Sequence, residues 1–170
     1  MSAATEPTSR SFTIRPSQMT DLTGLLELVE KVGVFTKEET SCACELIASA
    51  LSDETRSGDY RVLVAQDNAS GDVAGYICYG PTPMTQSTWD LYWLATHPQH
   101  QRQGIAAALC AAMEDELRGL GGKLVRVETS STEGYGSAQR FYERNGYPSV
   151  CIIPEFYKPD DDLIIMIKKL

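Results

Sequence analysis

The sequence predicts a mixed α/β fold: a mostly antiparallel sheet of about seven strands with a parallel pair at its centre, and four helices. Two β-rich runs, Tyr60–Gln66 and Val73–Tyr79, flank a turn-forming segment and indicate an antiparallel hairpin. The run Trp89–Thr96, an amphipathic helix from Gly104 to Gly119 and the run Lys123–Thr129 form a strand–helix–strand unit. The strands of such a unit are expected to be parallel.

Local patterns predict the remaining elements. In chain order these are a strand at Ser11–Arg15, helices at Met19–Val32, Lys37–Ser52 and Gly136–Asn145, and strands at Val150–Ile153 and Leu163–Ile167. Thr36 and Glu39 form a capping-box pattern at the start of the second helix. A charged, proline-containing loop is expected between the last two strands. Residues 1–10 are expected to form a disordered tail, and residues 11–170 a single domain.

The composition limits the classes of partner. The chain has 170 residues, of which 15 are basic and 23 acidic, giving a formal charge of −8. Because nucleic acid binding requires a basic surface, nucleic acid is not expected as a partner. A membrane is not expected either, since no apolar run approaches the ~20 residues that cross a bilayer. Five scattered cysteines without paired metal-ligand motifs indicate free, mostly buried thiols, no metal site and a cytoplasmic location.

The most informative segment is the loop Gln101-Arg102-Gln103-Gly104-Ile105-Ala106, which lies between an apolar strand and a long helix. The first N–H groups of a helix have no intrahelical partner and lie at the positive end of its dipole. A glycine there lets a ligand approach the backbone, which suits a pyrophosphate. P-loop and dinucleotide motifs do not fit, because Gly-Lys-Ser/Thr is absent and Gly104 stands alone. The alternative is an ordinary loop glycine before a surface helix.

In this context the loop resembles the acyl-CoA pyrophosphate loop, Gln-x-x-Gly-x-Ala, of the GNAT superfamily of N-acetyltransferases. The order of elements is also similar, from about Phe12 to Leu170. The segment Ala138-x-x-Phe141-Tyr142-x-x-x-Gly146-Tyr147 resembles the family's Ala-x-x-x-Tyr-x-x-x-Gly-Phe. Two positions depart from the pattern: Tyr135 stands where the family often has Asn, and the loop begins with Gln101 rather than Arg.

The resemblance implies acetyl-CoA as co-substrate, with no metal. In the family, backbone groups at the strand end pair with the pantetheine arm, and the loop binds the pyrophosphate. The cofactor-binding residues implied in this way are Leu94, Ala95, Thr96, Gln101, Arg102, Gln103, Gly104, Ile105, Ala106, Ser137 and Arg140.

Acetyl transfer to an amine also needs proton transfer, because an alkyl ammonium has a pKa near 10. Asp90 is the first candidate base, since some family members carry a carboxylate at this position, and Glu128 is the second. Each is open to a structural interpretation as well. The resemblance places the phenol of Tyr142 near the thioester sulfur, as a general acid; alternatively, Tyr142 is a core residue beside Phe141. A backbone N–H near Leu94–Ala95 is expected to bind the oxyanion.

The sequence therefore predicts an acetyl-CoA-dependent N-acetyltransferase that acts on a primary amine of a small molecule or peptide, by direct transfer in a ternary complex. A homodimer is compatible with this prediction. Two alternatives stay open: a non-catalytic acyl-CoA-binding sensor, and an enzyme that uses a longer acyl-CoA. Candidates for the lining of the acceptor site are Tyr79, Met84, Trp89, Tyr92 and Trp93.

Overall fold

The computed structural model describes residues 11–52 and 60–170, so the expected tail at residues 1–10 lies outside the described residues. In chain order the elements are β1 (Phe12–Pro16), α1 (Leu22–Lys31), α2 (Lys37–Leu51), β2 (Arg61–Asp67), β3 (Val73–Pro81), β4 (Thr88–Thr96), α3 (Ile105–Gly119), β5 (Leu124–Ser130), α4 (Gly136–Arg144), β6 (Ser149–Lys158) and β7 (Asp161–Lys169). The strands form one sheet in the order β1-β2-β3-β4-β5-β7-β6. Only β4 and β5 pair in parallel within the described chain. The predicted fold class is confirmed.

Helices cover both faces of the sheet, so the core consists of two apolar clusters. One cluster lies under α3 and α4, and the other under α1 and α2. The side chains of α3 that recur every fourth residue are at most 2% exposed; they are Ile105, Leu109, Met113 and Leu117. Burial of each such side chain stabilises the fold by roughly 1.5–3 kcal/mol. The predicted amphipathic helix thus positions its own N-terminus by packing on the sheet.

The starts of the first two helices follow from local hydrogen bonds. The predicted capping box of α2 is present: the Glu39 N–H donates to Thr36 Oγ1 at 3.1 Å, and the Thr36 N–H donates to Glu39 Oε2 at 2.7 Å. The first helix starts later than predicted, because Met19–Asp21 forms a 3₁₀ turn. In this turn the Asp21 carboxylate accepts hydrogen bonds from Arg15 and from the Gln18 N–H.

The prediction for the last hairpin is wrong in one respect. The expected strand Val150–Ile153 extends over Ser149–Lys158, and the expected loop is reduced to a tight turn. Pro154 and a positive φ of 51° at Glu155 do not end the strand. Since β6 is an edge strand with an irregular register against β7, it tolerates a residue without an N–H and a bulge.

The cysteines are less buried than expected. All five are free thiols, but only Cys78 and Cys110 are buried, while Cys42 and Cys151 are exposed and Cys44 is half-buried.

Among the described residues no group of three or more His, Cys, Asp or Glu could hold a metal ion. Within the same residues no helix is long and apolar enough to cross a membrane.

A β-bulge lies in β4 at the point where its pairing with β5 ends. The two strands pair from Thr88 and Leu124 up to Leu91 and Val127, and their pairing ends there. On the β3 side, Trp93 pairs with Cys78 and Leu91 with Tyr79, so Tyr92 is an extra residue in β4. A bulge bends its strand, and β4 and β5 diverge beyond it. We call the space between residues 92–96 and 128–130 the β4–β5 gap.

Gly75 of β3 lies beneath Ile105, the first residue of α3. A Cβ at this position would be 2.8 Å from Ile105 Cγ2 and 3.0 Å from the carbonyl oxygen of Ala95. The second neighbour is backbone and has little freedom to move. The glycine therefore lets the first turn of α3 pack directly over the end of β4.

Gly75→Ala is expected to lower the free energy of unfolding by about 1–3 kcal/mol, because the added methyl group overpacks this contact. Urea denaturation measures the effect. Gly119→Ala is the matched control, since a Cβ there meets nothing within 4 Å, and it should be neutral or slightly stabilising. Wild-type stability of the Gly75→Ala protein would contradict this account of the packing.

Candidate active site

The loop before α3 has an open backbone. Arg102 and Gly104 both have positive φ, 63° and 79°. Gly104 is the N-cap of α3 without a side-chain cap, and the first helical bond runs from the Ala108 N–H to the Gly104 carbonyl at 3.0 Å. The N–H groups of residues 104–107 therefore have no partner within the helix. A Cβ at Gly104 would meet nothing within 4 Å, so an anion has room to approach these groups.

Side chains around this loop differ in accessibility. Gln101, Arg102 and Gln103 are exposed, as are Ser137 and Arg140 on α4. Ala106 is half-buried, and Ile105 is 2% exposed because it packs in the core. Of the predicted contacts, Ile105 can thus offer only its backbone to a ligand.

The end of β4 presents backbone groups to the gap. The His97 N–H donates to the carbonyl of Ala74 in β3 at 2.9 Å. Because the direction of backbone groups alternates along a strand, those of Ala95 also point toward β3, whereas those of Leu94 and Thr96 point into the β4–β5 gap. The side chain of Ala95 is buried in the cluster under α1 and α2. Leu94 and Thr96 are therefore better placed than Ala95 for a strand-like contact with a ligand.

The two candidate carboxylates share one arginine but differ in environment. Asp90 is 6% exposed, and Arg126 Nε donates to its Oδ1 at 2.7 Å. Glu128 is exposed, and its Oε1 lies 3.4 Å from Arg126 Nη1. The hydrogen bond to Asp90 raises the pKa of Arg126, so the guanidinium stays charged. Asp90 is thus held in an ion pair, whereas Glu128 keeps access to solvent.

Tyr142 lies on α4, which is tied to the end of β5 by a hydrogen bond from Gln139 Nε2 to the Ser130 carbonyl at 2.8 Å. Its ring packs edge-on against Phe141 and Tyr147 and is 6% exposed. Within residues 11–52 and 60–170 its hydroxyl has no hydrogen-bond partner. Burial raises the pKa of Tyr142 above its ordinary value, so the phenol is protonated at physiological pH.

The candidate acid and base come from opposite faces of the sheet. Val125 and Val127 belong to the cluster under α3 and α4, as does Tyr142. Because side chains alternate along a strand, Arg126 and Glu128 project from the other face. Tyr142 therefore lies on one face of the sheet, and the accessible carboxylate of Glu128 projects from the other.

Sequence reasoning missed one contact near this region. Tyr135 Oη donates to Glu39 Oε1 at 2.5 Å and thereby links the turn before α4 to α2. Burial and the Glu39 carboxylate raise the pKa of Tyr135. Tyr157 of β6 is half exposed; partial burial and then the nearby carboxylates of Glu128 and Glu39 raise its pKa. No local pattern could have revealed the pair, because 96 residues separate its members.

The predicted acceptor-lining residues divide into two groups. Tyr79 and Trp89 lie in the cluster under α3, where the Tyr79 hydroxyl donates to Glu116. Tyr92 and Trp93 lie on the opposite face, because the bulge places both consecutive residues toward α1 and α2. Met84 is fully exposed in the loop between β3 and β4.

Comparisons with known proteins agree with this geometry. Residues 58–148 match the model of the acetyltransferase (GNAT) domain. A crystal structure of a GNAT-family protein from Desulfovibrio desulfuricans, assigned as an acetyltransferase, is 36% identical; the match covers 93% of this chain and 98% of that chain, with a TM-score of 0.87. No curated protein matches the chain significantly in sequence.

More distant structures share the fold. The ribosomal-protein-S18-alanine N-acetyltransferase from Escherichia coli is 22% identical over 93% of both chains, with a TM-score of 0.73. An aminoglycoside 6'-N-acetyltransferase complexed with coenzyme A is 17% identical over 92% of this chain and 96% of that chain, with a TM-score of 0.72.

The sheet has seven strands with one parallel pair, and it opens at its centre beside an uncapped helix N-terminus. This is the architecture of an acetyltransferase. The chain belongs to the GNAT family, whose enzymes use acetyl-CoA. The predicted family and enzyme class are confirmed. The residues present fit that co-substrate, because Gly104 leaves open space over unpaired N–H groups and the gap has a free strand edge.

Gly104→Val is expected to weaken coenzyme A binding by about tenfold or more, since an anion at a helix N-terminus is worth up to ~2 kcal/mol. Gly121→Val is the matched control: its φ is +80°, close to the +79° of Gly104, and a Cβ there also meets nothing within 4 Å. Both variants therefore carry similar backbone strain. Isothermal titration calorimetry should show a loss of affinity for Gly104→Val alone, and an equal affinity of the two variants would refute the site.

Proposed function

We propose that this acetyltransferase moves the acetyl group of acetyl-CoA directly to a primary amine of a small molecule or peptide, within a ternary complex. The supporting observation is the arrangement around the β4–β5 gap. Glu128 follows the last residue of β5 that pairs with β4, and Tyr142 lies on the opposite face of the sheet, on a helix tied to the end of β5. A donor bound in the gap and an acceptor reaching it from the side of α1 and α2 would then meet between an acid and a base.

We infer that Glu128 is the base. A primary amine is mostly protonated at neutral pH and must lose a proton before it can attack. Glu128 can accept that proton directly or through water, because its carboxylate is exposed. Asp90 is buried and bound by Arg126, which suits it to hold the arginine in place. The geometry thus favours Glu128 over Asp90, the reverse of the order expected from the sequence.

Backbone and phenol groups would stabilise the other charges. When bound, acetyl-CoA supplies the acetyl group as a thioester. The N–H of Leu94 points into the gap and can donate to the carbonyl oxygen as it gains charge. Tyr142 can donate its proton, or a hydrogen bond, to the leaving sulfur, since its hydroxyl has no protein acceptor among the described residues.

The surroundings of the gap favour a cationic acceptor. Glu39 and Glu128 both lie near Tyr157, and the formal charge of the chain is −8. An amine that arrives as an ammonium ion is attracted by this charge.

A cytoplasmic location and a homodimer stay predictions. For a homodimer, β6 offers a surface, because it is an edge strand with every residue exposed.

Glu128→Gln is expected to lower kcat/KM at pH 7 by about 10²-fold, the lower end of general-base effects. The loss should shrink as the pH rises, because free amine then becomes abundant. Asp90→Asn should lose less, and Glu27→Gln, an exposed carboxylate on α1, should lose nothing. Steady-state rates across a pH series test this prediction. A larger loss for Asp90→Asn would assign the base to Asp90, and wild-type rates for both would exclude both carboxylates.

The proposed function itself is tested by following coenzyme A release from acetyl-CoA with a panel of amines. At least one primary amine should be acetylated. On that amine Tyr142→Phe should lower kcat by about 10²-fold while leaving acetyl-CoA affinity unchanged, because the ring stays in place. Binding of acetyl-CoA without transfer to any amine would favour a sensor. Faster transfer from propionyl-CoA than from acetyl-CoA would favour a longer acyl donor.

A further inference from the structure

A buried carboxylate lies outside the β4–β5 gap, in the middle of α3. Glu114 is 5% exposed and accepts hydrogen bonds from β7 and from the segment between α4 and β6. Lys168 Nζ of β7 donates to both of its oxygens at 2.7 Å, and Tyr147 Oη donates to Oε1 at 2.8 Å. Arg118 approaches from the exposed side at 3.4 Å. The proposed chemistry makes no use of this carboxylate.

The same network fixes Tyr147 in one orientation. Tyr147 is 0% exposed, and Lys168 Nζ lies 5.2 Å from the centre of its ring. Its N–H donates to the Tyr142 carbonyl at 3.0 Å. Burial raises the pKa of Tyr147, so its hydroxyl remains a donor to Glu114. Backbone, ring and hydroxyl are therefore all held at once.

The phenol of Tyr142, in contrast, is held by packing in the core and not by a hydrogen bond. Its hydroxyl has no hydrogen-bond partner among the described residues, and its ring makes edge-on contacts with Phe141 and Tyr147. Phe141 precedes it on the same helix, is only half-buried and offers no polar anchor. Tyr147 is the ring neighbour of Tyr142 that is itself hydrogen-bonded to α3, the helix whose N-terminus borders the gap.

A stability role alone does not account for this network. Buried ion pairs contribute little net stability, and replacing them with apolar residues is often neutral or favourable. What a buried pair does supply is a fixed geometry.

We propose that Glu114, Tyr147 and Lys168 are positioning residues that hold the Tyr142 phenol in its reactive orientation. The inference rests on the proposed role of Tyr142. It requires no contact between these three residues and either substrate. A displacement of about 1 Å in a reacting group can cost as much as 10²-fold in rate, so a modest loosening of Tyr147 would be measurable.

The test is a double-mutant cycle of Tyr147→Phe and Tyr142→Phe, with kcat, KM and melting temperature measured for each protein on an accepted amine. Tyr147→Phe should lower kcat by about tenfold, because the ring keeps its place but loses its anchor. KM for acetyl-CoA should stay within twofold of wild type. In the Tyr142→Phe background Tyr147→Phe should cause no further loss, because the group it positions is already absent.

Two further variants make the outcome decisive. Arg118→Gln removes a contact to the same carboxylate that does not involve Tyr147, and kcat should be unchanged. Glu114→Gln removes the charge that Lys168 and Tyr147 donate to, with little change in volume, and it replaces Tyr147→Phe in the cycle if that protein does not fold. An equal loss in both backgrounds, or no loss in either, would overturn the positioning role alone. Wild-type kcat for Tyr142→Phe would remove the proposed acid from the mechanism, and this inference with it.

Discussion

The site depends on the β-bulge at Tyr92. Up to Leu91, β4 is a regular central strand with partners on both sides. The extra residue bends the strand and ends its pairing with β5, which leaves a free backbone edge in the middle of the sheet. In a fully paired sheet such an edge would not be available to a ligand. The gap and its free backbone edge follow from that interruption.

Packing then decides which groups reach the gap. Gly75 lets Ile105 lie directly on β3, so the uncapped end of α3 is brought close to the end of β4. On the other side, Gln139 ties α4 to the end of β5. Because α3 and α4 pack on one face and the carboxylates project from the other, one opening can serve a large donor and a separate acceptor. The buried Glu114 network connects α3 to β7 and to Tyr147, which follows α4.

Much of this architecture could be predicted because its causes are local. The fourfold spacing from Ile105 to Leu117 specifies α3, and Thr36 with Glu39 specifies the start of α2. The length of β6 was mispredicted because Pro154 normally interrupts a strand, and only its position at the sheet edge makes it tolerable. Edge position is a property of topology, which a local pattern does not contain.

The candidate site was predictable only in part, for the same reason. The loop around Gly104 carries its chemistry in consecutive residues, so the sequence indicates it directly. The partners of Asp90 and Tyr147 lie 36 and 33 residues away, and their effect on each role appears only after the chain has folded. The bulge at Tyr92 also leaves no local mark, because Tyr92 and Trp93 look like ordinary strand residues.

The most direct measurement is a crystal structure of the protein with coenzyme A. The account predicts the pyrophosphate on the N–H groups that precede and begin α3, the pantetheine arm along Leu94 and Thr96, and the sulfur within hydrogen-bond distance of the Tyr142 hydroxyl. Coenzyme A bound away from the β4–β5 gap would contradict the account. So would a complex in which the sulfur lies within the gap but the Tyr142 hydroxyl remains too distant to donate a proton.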